Sequence, residues 1–336
     1  MTNNTQDQNR NETTDRYDAV IIGGGAAGLN AAVALGRARR RVAVVDAGEP
    51  RNAAAAGVHN FLTRDGIAPA ELVRIGRMEA ESYGGVVFEG TAASASRDDD
   101  GFTVTLDDGT RIRGRRLLIA SGLIDELPDV VGLRDRWGVD VLHCPYCHGW
   151  EVRDQAIGIL ATGPMAVHQA LLFRQLSSRI TVFLHTAPAL SDELAEQLAA
   201  RGIAVIEGNV ESVSTTDYAL SAVVLTDGSV HPIQAMVVAP TFTARTAVVE
   251  SLGLDVSTDP RGIGTFVESD ATGLTRMPGV WVAGNVTDLT AQVITAAAAG
   301  LMAGAAINAD LIAEELEVAV QAYRAAQRLP HSRQAG

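Results

Sequence analysis

A Gly-x-Gly-x-x-Gly turn between an apolar run and a helical pattern, an acid some twenty residues later, and a second copy of the same element order predict an α/β protein. The expected fold is two tandem Rossmann-like units, each a three-layer ββα nucleotide-binding fold. Residues 17–22 (YDAVII) form an apolar run of strand length that ends at Gly23-Gly24-Gly25. Residues 26–39 carry apolar positions Leu29, Val33 and Leu35 at helical spacing, and residues 41–45 (RVAVV) read as a second buried strand closing on Asp46. A hairpin follows: residues 102–106, an Asp107-Asp108-Gly109 turn and residues 110–113, leading to a strand at 117–120 and the Ser121-Gly122 turn.

Much of this recurs downstream. An expected strand at 157–160 runs into Ala161-Thr162-Gly163, then come a helix from 167 to about 176, a strand at 180–184, a hairpin turning at Asp227-Gly228 and a strand at 236–239. The text TVTLDDGT…RRLLIASG is echoed by AVVLTDGS…QAMVVAP, so the copies join near 122–125 and 240–245. A short strand at 280–283 and an Ala-rich helix from about 291 to 308 complete the pattern.

Composition sets the outer bounds. Of 336 residues 47% are hydrophobic and 20% charged, which suits two globular domains with a substantial core. The net charge of −13 argues against nucleic acid and against anionic membrane surfaces as partners. Residues 1–15 are polar and read as a disordered leader with no apolar signal segment, so cytoplasmic residence is the default expectation.

In the first turn each glycine has a separate task. Gly23 allows the tight turn, Gly25 lets backbone N–H groups approach a pyrophosphate, and Gly28 lets helix and strand pack closely, while Asp46 is placed for a ribose. In the second copy the glycine positions become Ala161, Gly163 and Ala166, and Leu184 stands in place of Asp46. The residues beyond, His185-Thr186-Ala187-Pro188, offer no arginine for a 2′-phosphate, so tight NADPH binding is not expected and weak NADH binding stays open.

The only two cysteines are Cys144 and Cys147, in Cys144-Pro145-Tyr146-Cys147. Two intervening residues at a helix start bring the sulfurs within bonding distance and favour thiolate. The pattern reads as a reversible dithiol/disulfide. His143 and His148 flank the pair, and either imidazole can take a thiol proton or serve a structural hydrogen bond. Two other readings remain: zinc, which these four bunched residues suit poorly without a second CxxC, and an inert buried pair. No metal is expected.

From residue 17 to about 308 the chain resembles the low-molecular-weight thioredoxin reductases, on GGGAAG, the CxxC inside the second copy, and the late GVWVAGNVTDLTAQVITAAAAG. The resemblance implies one FAD-binding domain made of 16–123 and 244–318, discontinuous around a pyridine-nucleotide-type domain at 124–243 that carries the CxxC, and a tail at 319–336. It implies FAD contacts at Ala26, Ala27, Ala47, His59, Asn60, the Ala120-Ser121-Gly122 turn, Gly284, Asn285 and Val286, with Gln292 and Val293 facing the isoalloxazine. A homodimer is implied as well. Departures are Asn285 for the family's Asp, Asp46 for its Glu, His148 for its acid after the second cysteine, and the missing arginine run. These features are similar to the branch of small-molecule dithiol oxidases that close disulfides in gliotoxin- and holomycin-type products. The expected activity is therefore dithiol oxidation through Cys144–Cys147 and FAD, with O2 as acceptor giving H2O2. An NAD(P)H-dependent thioredoxin-like disulfide reductase and a non-enzymatic flavoprotein sensor are the alternatives. The substrate is expected to be a small-molecule or peptide dithiol.

Overall fold

The structure is a computed structural model and describes residues 12–163 and 165–328. In chain order the first unit is β1 (Glu12–Ile22), α1 (Ala26–Arg37), β2 (Val42–Asp46), α2 (Pro69–Ser82), β3 (Val86–Glu89), β4 (Ala92–Asp98), β5 (Gly101–Leu106) and β6 (Arg111–Ile119). The chain crosses over at β7 (Leu123–Glu126) into β8 (Val141–Leu142), α3 (Pro145–His148), β9 (Ile157–Leu160), α4 (Met165–Phe173), β10 (Ile180–Phe183), α5 (Asp192–Ala200) and β11 (Ala204–Ile206). There follow β12 (Val210–Thr216), β13 (Ala219–Leu225), β14 (Val230–Pro232) and β15 (Ala235–Val238). The return is β16 (Thr241–Ala244), α6 (Ala247–Ser251), β17 (Ser257–Thr258), β18 (Gly264–Phe266), β19 (Val280–Val282) and α7 (Val293–Arg328).

Both units repeat one plan. The first has parallel order β3-β2-β1-β6-β19, the second β11-β10-β9-β15-β8. Parallel strands are buried on both faces, which is why β1, β2 and β9 are apolar runs without alternation. On one face of the first sheet Ile21, Leu118 and Trp281 pack with Leu35 of α1 and Ile307 of α7; on the other Val20 and Leu117 meet Val104 and Ile112 of the β4-β5-β6 meander. The second sheet is layered alike, with Phe173 of α4 on one face and Val223 and Leu225 of the β12-β13-β14 meander on the other. This is the three-layer ββα architecture, twice.

The two crossings are themselves a structure. β7 and β16 pair antiparallel, Phe242 opposite Asp125, so the outgoing and returning chains join in one four-stranded sheet of order β17-β18-β16-β7. α2, β3, β4, α5 and β12 have no counterpart in the sequence-based expectations, although Leu194 and Leu198 of α5 pack on the core at helical spacing.

Two segment boundaries are corrected. Residues 12–15, expected in the leader, belong to β1, because β6 offers backbone partners as far back as Arg111 opposite Glu12; the rest of the leader lies outside the described residues. Residues 319–328, expected as a tail, continue α7 without a break. The reason is local: no Gly or Pro stands between Gly304 and Pro330, and Ala, Glu, Gln and Arg are strong helix formers.

Candidate active site

Between the sheets' carboxyl ends lies a cavity of about 650 Å3 lined by residues of both units. Its floor is the β1–α1 turn. Gly23 has φ +106°, where a side chain is strained, and a Cβ at Gly28 would overlap the Gly23 carbonyl oxygen. Gly25, by contrast, has nothing within 4 Å of a built Cβ and faces the cavity. The first amides of α1 are therefore left open toward it, with a helix dipole behind them. Asp46 accepts a hydrogen bond from Gly24 N at 3.0 Å and lines the same cavity. A cradle that a Cβ would fill, free amides and a carboxylate one strand away fit the pyrophosphate and ribose of a dinucleotide.

Ala26, Ala27, His59, Ala120, Ser121, Gly122, Gly284, Asn285, Gln292 and Val293 line this cavity as well. Gly28, Ala47 and Asn60 do not. Gly28 acts through packing. The Asn60 side chain turns away and donates from Nδ2 to Tyr146 O at 2.6 Å. His59 sits between Asp65 Oδ2 (3.4 Å) and Glu151 Oε1 (3.3 Å). The loop carrying both is pinched shut by Val58 N donating to Ile67 O and Gly66 N to Val58 O, each 2.8 Å. His59 and Asn60 thus bind the first unit to the cysteine segment of the second.

Asn285 has its own account. Its Nδ2 donates to Asp288 O and Ala291 O, both at 3.0 Å, while Oδ1 accepts from Arg51 at 3.3 Å. A carboxylate could not make the two donations, so an Asp here would oppose the backbone oxygens.

The cysteines stand at the cavity's other wall, as a Cys144–Cys147 disulfide with Cα atoms 5.3 Å apart. Cys144 caps α3, a single turn with His148 N donating to Cys144 O at 3.2 Å. One turn supplies little dipole, so the flanking histidines carry the electrostatics. Burial pushes His148 below its usual value, Glu151 partly opposing, and its buried Nε2 has no hydrogen-bond partner among the described residues. Burial lowers His143 too, against the hydrogen bond to Val238 O. That bond, 3.0 Å from His143 Nδ1 to a carbonyl, fixes the proton on Nδ1. Both imidazoles are neutral near pH 7, the state needed to accept a thiol proton.

Sequence reasoning missed the scaffold behind His143. Arg51 donates twice to Asp125 (2.7 and 2.5 Å) and lies over the Phe242 ring at 5.2 Å, and Phe242 meets His143 edge-on at 5.2 Å. These groups come from the loop after β2, from β7 and from β16, and no local motif marks them. Among the described residues no group of three or more His, Cys, Asp or Glu is placed to hold a metal.

The second dinucleotide position is different. Register sets Leu160 opposite Phe183 as Ile22 is opposite Val45, so Leu184 occupies Asp46's place. Ala187 N donates to Ala161 O at 3.1 Å, folding the loop after β10 back onto the turn, and His185 Nδ1 is occupied by Val210 N at 3.0 Å. A cavity of about 650 Å3 is present there, walled by Thr162, Gly163, Gln169, Glu126 and Asp129. Its lining contains one arginine, Arg261, which is held by Asp259 at 2.9 and 3.0 Å. The donor set does not fit a 2′-phosphate.

Residues 17–300 match the pyridine nucleotide-disulphide oxidoreductase family. A thioredoxin reductase of Leptosphaeria maculans, sirT, is 32% identical over 87% of this chain and 93% of its own. The crystal structure of HlmI superposes with a TM-score of 0.87 at 42% identity, over 94% of this chain and 98% of that one. An oxidoreductase from Agrobacterium tumefaciens superposes at 0.83 with 36% identity, over 89% and 99%. A cysteine pair facing a dinucleotide cradle, in a fold shared along nearly the whole length of these proteins, leads to one conclusion: the chain belongs to the pyridine nucleotide-disulphide oxidoreductases and is an FAD-dependent disulfide oxidoreductase of the thioredoxin-reductase type.

Proposed function

We propose that the protein is a dithiol oxidase, closing a disulfide in a small-molecule or peptide substrate. The observation that carries this reading is the contrast between the two dinucleotide positions. The first keeps its open cradle and carboxylate; the second has Leu184 for the acid and no free arginine. The likeness to HlmI and sirT supports it.

In this reading a substrate thiol gives its proton to neutral His148 at Nε2, with His143 Nε2 as the second basic position. The substrate thiolate attacks Cys144 Sγ, breaking the Cys144–Cys147 bond and leaving a mixed disulfide and a Cys147 thiolate. The second substrate thiol attacks the mixed disulfide, releasing the product disulfide and the Cys144 thiol. Two electrons now rest on the cysteine pair. The β1–α1 turn, Asp46, Asn285 and Gln292 would hold FAD, whose chemistry there is to accept those electrons and hand them to O2, giving H2O2. In this reading, as the family resemblance implies, Cys144 takes the substrate and Cys147 faces the flavin.

Anaerobic rapid mixing of the yellow protein separates this from the NAD(P)H-dependent reductase. Dithiothreitol bleaches the flavin, whereas micromolar NADPH leaves it oxidised over seconds. Bleaching by NADPH within milliseconds would overturn the oxidase. On admission of air, H2O2 forms in equal amount to disulfide.

The histidines add a pH dependence. Because burial holds His148 below the ordinary 6.5, its neutral form persists to a lower pH than free imidazole. Dithiol oxidation is therefore expected to fall only on acidification below that value, and His148→Gln is expected to slow it about 10²-fold or more and to shift the acid limb. An unchanged limb in the variant removes His148 from proton transfer.

A further inference from the structure

Where the second unit repeats the dinucleotide turn, the chain keeps a cavity of about 650 Å3, walled by the segments that follow β9, β10 and β15 and by the loop before β18. The turn itself has changed. In the first unit a Cβ at Gly28 would lie 1.8 Å from Gly23 O, yet Ala166 carries a Cβ at the matching position. The start of α4 therefore stands further off its turn than α1 does, and the backbone is not shaped to close on a pyrophosphate. None of the residues around this cavity belongs to the one that holds Cys144 and Cys147.

An unmatched amide lies inside. Gln169 of α4 is 6% exposed and lines the cavity, and its buried Oε1 has no hydrogen-bond partner among the described residues. Burying such a group costs about 1–3 kcal/mol, and a leucine would fill the same space without that cost. The surroundings are acidic. Glu126 and Asp129 stand exposed in the lining, whereas Arg261 is neutralised by Asp259. The positive end of α4 amounts to about half a charge, so two carboxylates outweigh it. Burial holds His185 below its usual value, and its Nδ1 accepts from Val210 N at 3.0 Å. The neutral ring therefore presents Nε2–H to the cavity, a donor suited to a carbonyl or hydroxyl oxygen.

We propose that this cavity binds a small organic cation, an amine or guanidine that also carries a carbonyl or hydroxyl oxygen. Gln169 Oε1 accepts from the ligand's N–H groups, Glu126 and Asp129 balance its charge at the rim, and His185 Nε2 donates to its oxygen. The same charges turn away phosphates and carboxylates, because the lining has no unpaired cation to meet them. The site is separate from the disulfide, so it stands whichever way the dithiol chemistry runs.

The test titrates L-argininamide into the flavin-loaded full chain in a calorimeter at low salt. Saturable binding with a dissociation constant below about 1 mM is expected. Gln169→Leu and Asp129→Asn are each expected to weaken it about 10-fold or more, and adenosine monophosphate at the same concentration to give no binding heat. Gln169→Leu keeps its flavin, and without ligand it melts at or above the wild-type temperature, since the substitution removes the unmatched amide. Absence of saturable heat with L-argininamide, an affinity unchanged in both variants, or tighter binding of adenosine monophosphate or NADH overturns the proposal. So does a lower melting temperature for unliganded Gln169→Leu, which would give the amide a structural role.

Discussion

Cys144→Ser and Cys147→Ser each lower disulfide-forming turnover by about 10³-fold or more, because no other thiol exists to relay electrons. The two variants differ in what they trap. With the aromatic disulfide 5,5′-dithiobis(2-nitrobenzoate), the Cys147→Ser protein retains a Cys144 thiol that displaces one coloured thiolate and keeps the other half as a mixed disulfide. In Cys147→Ser that adduct persists, since no neighbouring thiol can resolve it. Cys144→Ser is expected to react at least 10-fold more slowly if Cys147 is, as proposed, the sulfur that faces the flavin. Intact-mass measurement reads the adduct directly. Faster labelling of Cys144→Ser reverses the assignment of the two sulfurs and leaves the dithiol chemistry intact.

Gly25→Val and Gly28→Val separate binding from folding in one turn. A Cβ built at Gly25 meets nothing within 4 Å beyond its chain neighbours, so the variant is expected to fold with near-wild-type thermal stability and to emerge colourless. Its branched side chain occupies the space into which the cavity lining opens and blocks close approach of a pyrophosphate. At Gly28 the new side chain collides with the Gly23 carbonyl and crowds Ile21 at 3.2 Å, which forces α1 off the sheet. A loss of about 3 kcal/mol or more is expected there, on the scale of overpacked cores, with loss of flavin as a consequence of unfolding. Calorimetry beside the flavin-to-protein absorbance ratio distinguishes the two. A yellow Gly25→Val protein would mean that the cofactor lies elsewhere.

Each of these variants tests a residue whose role is legible in the text of the chain. Glycine spacing, Asp46 and the CxxC are local patterns, and local sterics require them wherever the chain places them. The doubled layout is equally legible: buried parallel strands must be apolar on both faces, so β1 and β2 and their later equivalents β9 and β10 stand out as apolar runs. Comparing the two turns also showed that the second had lost its acid and its arginines, and the register in the sheets places Leu184 where that comparison put it.

Other features depend on contacts between distant segments. Arg51, Asp125 and Phe242 form the support of His143, yet they lie 74 and 117 positions apart along the chain. The Asn60 side chain was expected at the flavin and instead reaches across to Tyr146, because the pinched loop of residues 58–67 turns it outward at φ +59°. Asn285 stands where the resemblance has Asp, a departure the sequence leaves unexplained; three hydrogen bonds give it a positive reason.

The sequence by itself determined the two nucleotide-type folds, the redox pair and the missing acid and arginine run at the second dinucleotide position, since each is written in residue type and short spacing. Only the tertiary structure decided which histidine nitrogen is left open for a proton, which loop binds the cysteine segment to the cradle, and where α7 stops being part of the core. Those outcomes depend on burial and on hydrogen-bond partners drawn from opposite ends of the chain, and spacing along the chain carries no record of either.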